Sequence, residues 1–137
     1  MRKLWALVDE VLTLVNGAVV GNLTVTGRVI SPGTSWASIL TKTANYTILD
    51  TDPDIVQTGA ISGHVTITLP TAADNTGRVI TVLIVEDPGE SNVVIDGEGA
   101  EPINRALTKS CSDQFAHIRL YCNGSEWFII GSSGTWA

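Results

Sequence analysis

The chain has 137 residues, enough for one domain, and 44% of them are hydrophobic, so a core can form without disulfides or metals. Lys and Arg number 8 against 14 Asp and Glu, which gives a formal net charge of -6. This acidic balance argues against a nucleic-acid partner and against an anionic membrane surface, because both attract basic surfaces. Val, Ile and Thr together make up 43 residues, which predicts an all-β body and excludes intrinsic disorder.

Residues 1–17 are predicted to form a short amphipathic helix that ends at Asn16-Gly17. Its apolar residues fall in two adjacent stripes with the 3-4 spacing of a coiled coil, an apolar face too wide for a lone helix in water. We expect this face to pack on its own domain, on copies of itself or on another protein. Attachment is expected to use seven side chains: Leu4, Trp5, Leu7, Val8, Val11, Leu12 and Val15. Asp9 and Glu10 interrupt the apolar stretch, so we expect no membrane insertion and no cleaved signal.

Residues 18–44 are predicted to be a β-rich linker, because Pro32 and several glycines break its short β-runs. Within it, residues 21–27 alternate apolar residues with Thr between two glycines and are predicted to form one strand. This run, Gly-Asn-Leu-Thr-Val-Thr-Gly, resembles the short repeats in the shafts of tailed-phage tail fibres, in which three chains wind together.

Residues 45–137 are predicted to form an antiparallel β-sandwich or a jelly-roll-like body. Turn residues separate six predicted strands at nearly regular spacing, and Asn123-Gly124 is the strongest hairpin signal. The predicted strands are Tyr46–Leu49, Val65–Leu69, Arg78–Val85, Val93–Ile95, Phe115–Cys122 and Trp127–Ile130.

The order of motifs in this body is similar to the C-terminal β-domains of phage fibre, receptor-binding and head-fibre proteins. Those domains carry a Thr-Leu-Pro…Gly-Arg strand pair, a strand ending in Ile-Asp-Gly, and a final Asn-Gly-x-x-Trp hairpin. The matching runs here are 65–72, 77–82, 94–97 and 122–130, which together span residues 65–130. Each run is degenerate by itself, so the resemblance rests on their order and spacing.

This resemblance implies a homotrimeric, non-enzymatic structural protein of a tailed-phage virion, assembled in the cytoplasm of a bacterial host. Because a full tail fibre needs a longer shaft, the length favours a capsid decoration protein, head fibre or short fibre. The expected partners are further copies of the chain and a major capsid or tail protein, with trimerisation and attachment through the N-terminal segment. The alternative is a receptor- or carbohydrate-binding module at a tail-fibre tip, with a host surface glycan as its partner.

The acidic residues and histidines do not form a recognisable catalytic motif. Asp50, Asp52 and Asp54 alternate, as a pair of glycosidase carboxylates could, but a solvated turn around Pro53 explains them better. A polysaccharide-degrading enzyme remains an alternative that changes at these carboxylates would test. Two scattered histidines and two cysteines do not have the spacing of a zinc site. We therefore expect no enzymatic activity, no cofactor and no metal.

Aromatic residues are the candidates for contact with a sugar or receptor, because aromatic faces stack on apolar ligand surfaces. Tyr121 and Trp127 lie within predicted strands and are expected to pack in the core. Trp36 and Trp136 lie in flanking segments and are the candidate ligand-contacting residues. Because Trp136 follows the run Gly-Ser-Ser-Gly, it is either idle or an anchor of the C-terminal tail onto a neighbour, and the anchor is the favoured interpretation.

Cys111 and Cys122 are close enough in sequence to face each other across a hairpin. In the absence of a secretion signal, two free buried thiols are the favoured interpretation. A disulfide between them remains the alternative.

Overall fold

The structure, a computed structural model, describes residues 39–137. The predicted helix over residues 1–17, its seven attachment side chains, Trp36 and the strand predicted over residues 21–27 lie outside the described residues.

The described residues form nine strands in two mixed sheets. The strand order is β1-β3-β5-β8-β9 in the five-stranded sheet and β2-β4-β6-β7 in the four-stranded sheet. One 3-10 turn, Ala72–Asp74, lies between β4 and β5. The strands are β1 (Leu40–Lys42), β2 (Tyr46–Thr47), β3 (Ile55–Thr58), β4 (Val65–Thr68), β5 (Val79–Ile84), β6 (Val93–Asp96), β7 (Thr108–Cys111), β8 (His117–Cys122) and β9 (Trp127–Ser133).

The first six strands alternate between the two sheets and pair in parallel within each sheet. β1, β3 and β5 are parallel neighbours in the five-stranded sheet, and β2, β4 and β6 are parallel neighbours in the four-stranded sheet. The all-β prediction is confirmed, and two sheets around one core agree with the predicted sandwich, but the sheets are mixed rather than antiparallel. Each connection leads to the opposite sheet, so the next strand of the same sheet runs in the same direction. The antiparallel pairs are β5 with β8, β6 with β7, and β8 with β9.

A single hydrophobic core receives side chains from the inner faces of both sheets. Burial alternates along β5 and β8, as expected for strands with one inner and one outer face. Ile67 and Ile95 enter the core from the four-stranded sheet, and Ile80 and Leu120 enter it from the five-stranded sheet. Trp127, the largest of the fully buried side chains, enters from β9.

All six strands predicted for residues 45–137 are found, although three short strands, β1, β3 and β7, were missed. Val65–Leu69, Arg78–Val85 and Val93–Ile95 correspond to β4, β5 and β6 within one residue at each end. Strand β1 lies inside the segment predicted as a linker and pairs with β3, so the strand-bearing body extends back to Leu40. β3 and β7 were missed because one follows directly on an Asp-rich turn and the other consists of Thr, Lys, Ser and Cys.

The predicted hairpin at Asn123-Gly124 is confirmed and joins β8 to β9. The side-chain oxygen of Asn123 accepts hydrogen bonds from the backbone N–H groups of Ser125 and Glu126, at 2.9 and 3.0 Å. Gly124 has a φ of 96°, and a Cβ there would lie 2.5 Å from the hydroxyl oxygen of Thr76. Both conditions favour glycine at this position.

Cys111 and Cys122 are both buried and free, which confirms the favoured interpretation. Cys111 ends β7 in the four-stranded sheet, whereas Cys122 ends β8 in the five-stranded sheet. The two thiols therefore do not face each other across a hairpin.

Among residues 39–137, no helix is long and apolar enough to cross a membrane.

Candidate functional site

The outer side of the five-stranded sheet combines apolar side chains with polar ones. Strand register places Val79, Tyr121 and Phe128 side by side across β5, β8 and β9. These residues, together with the outward-pointing Ile55 of β3 and Leu83 of β5, are called the apolar face: Ile55, Val79, Leu83, Tyr121 and Phe128.

The apolar face lacks a covering layer within the described part of the chain. Tyr121 is 38% exposed and Ile55 is 37% exposed, and Ile130 in the neighbouring β9 is 52% exposed. Leu83 and Phe128 are half-buried by their neighbours in the sheet. Thr81 and Arg119 lie between Leu83 and the row of Val79, Tyr121 and Phe128, so the apolar surface is concentrated on that row. Exposed apolar surface of this kind marks interaction sites in soluble proteins.

Polar residues border the apolar face and organise its edge. Gln57 donates to the Thr41 hydroxyl at 2.9 Å, and His117 lies 2.8 Å from the Ser133 hydroxyl. Arg119 is the charged side chain among the outward positions of β3, β5 and β8. Arg119 lies opposite Thr81, in the middle of the face, and Arg is enriched at protein interfaces.

The outer side of the four-stranded sheet is different. Its outward positions carry mainly hydroxyl side chains, with Val94 and Asp96 between them. The hydroxyl-bearing residues are called the hydroxyl face: Thr47, Thr66, Thr68, Thr108 and Ser110. These small polar groups are readily hydrated, so this face needs no covering partner.

Asp50, Asp52 and Asp54 do not converge on one cleft but fasten the connection between β2 and β3. Asp50 accepts a hydrogen bond from the amide of Asn75 at 2.8 Å. Asp52 accepts one from the hydroxyl of Tyr46 at 2.7 Å and another from the backbone N–H of Leu49 at 2.8 Å. The three carboxylates thus accept hydrogen bonds that hold the turn and the loop in place, which is the structural role expected of them.

Arg78 is the centre of this polar network. Its Nε pairs with Asp54 at 2.8 Å, and its two terminal nitrogens donate to the carbonyls of Leu49 and Asp52 and to the Asn75 side chain. The Arg78 side chain is 12% exposed, whereas that of Asp54 is 60% exposed. Because β2 and β3 belong to opposite sheets, this network ties the two sheets together at one end of the body.

Tyr46 and Lys42 form a second polar contact near the edge strands. The hydrogen bond to Asp52 raises the pKa of the Tyr46 hydroxyl above 10.0, with burial and the negative charge of Asp52 acting in the same direction. The Lys42 ammonium lies 3.3 Å from the centre of the Tyr46 ring, a cation–π contact. Burial likewise raises the pKa of the Cys122 thiol, although the backbone N–H of Gly124 opposes this effect.

Tyr121 and Trp127, which were both predicted to pack in the core, differ in their exposure in the structure. Trp127 is fully buried, as predicted, but Tyr121 is substantially exposed and its predicted core position is wrong. Trp136 packs partly against the core, and its ring N–H lies within hydrogen-bond distance of the carbonyls of Ser133 (2.9 Å) and His117 (3.1 Å). The terminal Trp therefore anchors the tail to its own body, which leaves its ring only partly available to a ligand. Trp36 lies outside the described residues.

Phe115 was missed as a candidate contact residue because it begins the stretch predicted as a strand. It instead lies in the connection between β7 and β8, with a φ of 63°, and is 68% exposed. A positive φ is costly for a bulky side chain. No signal in the sequence distinguishes this position from an ordinary strand residue.

Within residues 39–137, no cluster of three or more His, Cys, Asp or Glu side chains could hold a metal ion. No protein-family model matches the chain, and no curated protein is significantly similar to it.

Proposed function

We propose that this chain is a non-enzymatic structural protein of a tailed-phage virion that assembles as a homotrimer, as a capsid decoration protein, head fibre or short fibre. The order of sequence motifs supports the virion role. The observation that carries assembly is the apolar face, which presents Ile55, Tyr121 and Phe128 on one side of the body and has no covering layer among residues 39–137.

Self-association through this face has a physical basis. Each Å² of apolar surface removed from water contributes about 25 cal/mol, and aromatic side chains supply the most area per residue. Tyr121 and Phe128 are neighbours in the sheet, so a second copy can cover both at once. Three copies that turn this face toward a common axis leave their hydroxyl faces outside, in contact with water.

The N-terminal segment is the proposed element for attachment to the virion. Its two apolar stripes require a partner surface, and three copies of such a helix can bury them against one another or against a major capsid or tail protein. The residues proposed for this role are Leu4, Trp5, Leu7, Val8, Val11, Leu12 and Val15.

The engagement of the candidate carboxylates supports a structural role over a catalytic one. Asp50, Asp52 and Asp54 are each committed to hydrogen bonds or an ion pair within the protein. A glycosidase instead needs two carboxyl groups directed into one substrate cleft.

The first test of the proposal is the mass of the purified full chain in solution, measured by light scattering. We expect the mass of three chains of 14.5 kDa each. A monomer at high protein concentration would overturn the trimer. Leu7→Asp tests the N-terminal segment separately, since a variant that still assembles and still attaches would remove this segment from the proposal.

The virion location is tested on phage particles whose genome encodes the chain. Mass spectrometry of purified particles should detect it in a fixed ratio to the major capsid protein or to a tail protein. Its absence from intact particles, with abundant chain in the infected cell, would contradict a structural role in the virion.

A further inference from the structure

Residues 134–137 cross from the end of β9 in one sheet to the edge of β7 in the other, and are called the closing segment. The N–H of Ser110 in β7 donates to the carbonyl of Ala137 at 2.9 Å, and the N–H of Ala137 donates to the carbonyl of Ser110 at 3.0 Å. Two residues that exchange both hydrogen bonds form an antiparallel bridge. The closing segment therefore covers the side of β7 that faces away from β6.

This side of β7 would otherwise be open to another chain. A strand at the edge of a sheet presents N–H and C=O groups without partners, and such groups pair with the edge of a second sheet. Because the direction of these groups alternates along a strand, those of Thr108 point to the same side as those of Ser110. Leu107, directly before β7, is 59% exposed. Without the closing segment, β7 would present the backbone groups of two residues beside an exposed apolar side chain.

The two longest edge strands of the described body are both covered by their own chain. β7 and β9 have four and seven residues, whereas β1 and β2 have three and two. Over the first half of β9, the N–H of Trp127 donates to the carbonyl of Pro102, and the N–H of Ile129 donates to the side-chain oxygen of Asn104, each at 3.0 Å. Long edges carry the greatest risk of pairing with another chain, so their covering is a consistent feature of this fold.

The other residues of the closing segment hold it in place. Gly134 has a φ of 80°, and a Cβ there would lie 2.6 Å from the Cβ of Ala116, so this position requires glycine. The N–H of Thr135 donates to the carboxylate of Asp113 at 2.8 Å. The ring of Trp136 packs partly against the core. These contacts keep the last residue of the segment against β7, although the bridge itself is one residue long.

We propose that the closing segment is an edge guard, which prevents β7 from pairing with β7 of a second copy of the chain. A second copy is the partner that it excludes, because two identical strands pair antiparallel about a twofold axis and each supplies the donors and acceptors that the other needs. The guard is independent of association through the apolar face. A monomer and a trimer both need it, so its failure would leave the assembly proposal intact.

The first test compares the full chain with a chain that ends at Ser133, by light scattering at matched concentrations. Whatever the mass of the full chain, we expect the truncated chain to reach at least about twofold that mass, because a twofold contact joins two of the native units. Equal masses at every concentration would overturn the proposal.

A substitution in the truncated chain tests whether the new contact uses β7. Ser110→Pro removes the outward N–H of β7 without loss of a hydrogen bond to β6, a position where an edge strand accepts proline. We expect this variant of the truncated chain to return to the mass of the full chain. Association that persists would show that it does not use the edge of β7 and would contradict the proposal.

A single substitution in the full chain tests the same point without truncation. Ala137→Pro removes the N–H that donates to Ser110 and leaves Trp136 in place, so we expect the mass to rise above that of the native chain at high concentration. The matched control is Ala137→Gly, which keeps the N–H and should retain the native mass. A native mass for Ala137→Pro, or an equal rise in the control, would overturn the edge guard.

Discussion

The two sheets have similar inner faces and different outer faces. Inside, β-branched and aliphatic residues from both sheets share one core. Outside, the five-stranded sheet presents Ile55, Tyr121 and Phe128, whereas the four-stranded sheet presents mainly Thr and Ser. In the proposed assembly, the outer face of the five-stranded sheet contacts further copies of the chain, and the outer face of the four-stranded sheet contacts water.

The largest expected effect comes from placing a charge on the apolar face. Tyr121→Glu would bring three carboxylates into the proposed trimer interface, where desolvation without a partner costs several kcal/mol for each one. We expect the trimer to dissociate, with affinity reduced by more than about a hundredfold in light scattering at matched concentrations. Thr108→Glu places the same carboxylate on the hydroxyl face and should leave the trimer intact. If Thr108→Glu dissociates the trimer and Tyr121→Glu does not, the hydroxyl face rather than the apolar face forms the trimer interface.

Substitutions on the inner faces of the two sheets should lower the free energy of unfolding by similar amounts, whereas substitutions on the two outer faces should differ in their effect on assembly. Ile80 of β5 and Ile95 of β6 are both fully buried, one from each sheet. Ile80→Ala and Ile95→Ala should each lower the free energy of unfolding by about 2–5 kcal/mol, measured by chemical denaturation at a fixed protein concentration. A loss below about 1 kcal/mol at one site alone would show that its sheet does not share the core.

The Arg78 network should matter to both sheets at once. Arg78→Met removes the ion pair with Asp54 and the donors to the carbonyls of Leu49 and Asp52. We expect the free energy of unfolding to fall by about 2–3 kcal/mol, in a single transition because the network joins the sheets. Arg105→Met, which removes an exposed guanidinium from a tight turn, is the control and should change stability by less than about 0.5 kcal/mol. Two separate unfolding transitions in Arg78→Met would show a weaker coupling between the sheets than this network implies.

The smallest effect is expected at the edge of the four-stranded sheet and depends on pH. The pKa of Tyr46 is raised in the folded protein, so its hydrogen bond to Asp52 stabilises the fold below pH 10.0, and this contribution is lost as the pH rises through the folded-state pKa. Tyr46→Phe should therefore be less stable than the native chain at neutral pH, and the difference should shrink above pH 10.0. Thermal unfolding at several pH values measures it, and a constant difference up to strongly alkaline pH would rule out the linkage.

Strand content could be predicted from the sequence, but strand direction could not. Alternating apolar residues and turn signals were enough to predict β4, β5 and β6 and the hairpin at Asn123-Gly124. A strand has the same alternation of apolar and polar residues whether it pairs with the preceding strand or lies in the opposite sheet. The parallel pairing of β1 to β6 depends on where each connection leads, as in the loop that Arg78 holds, and this is a tertiary property.

The candidate surfaces show the same limit. Tyr121 and Trp127 both lie in strands, and only the register of β8 and β9 decides that one points outward and the other inward. Residues 43–45 and residues 62–65 line one shallow groove because β1 and β3 are parallel neighbours, a pairing that no local pattern indicates. The resemblance implied a trimer, while the surface proposed to form it could be identified only from the sheet order.

The central claim is that the apolar face is covered in the assembled protein, and hydroxyl-radical footprinting of the full chain tests it most directly. Phe115 is an internal reference, because it is 68% exposed and lies in the connection between β7 and β8. We expect Tyr121 and Phe128 to be protected from oxidation at concentrations where the chain is assembled and to become reactive on dilution to monomer, while Phe115 reacts in both states. The contradicting result would come from a protein that light scattering shows to be a trimer. If Tyr121 and Phe128 in that trimer oxidise at the rate expected from their exposure in the single chain, the apolar face is not covered.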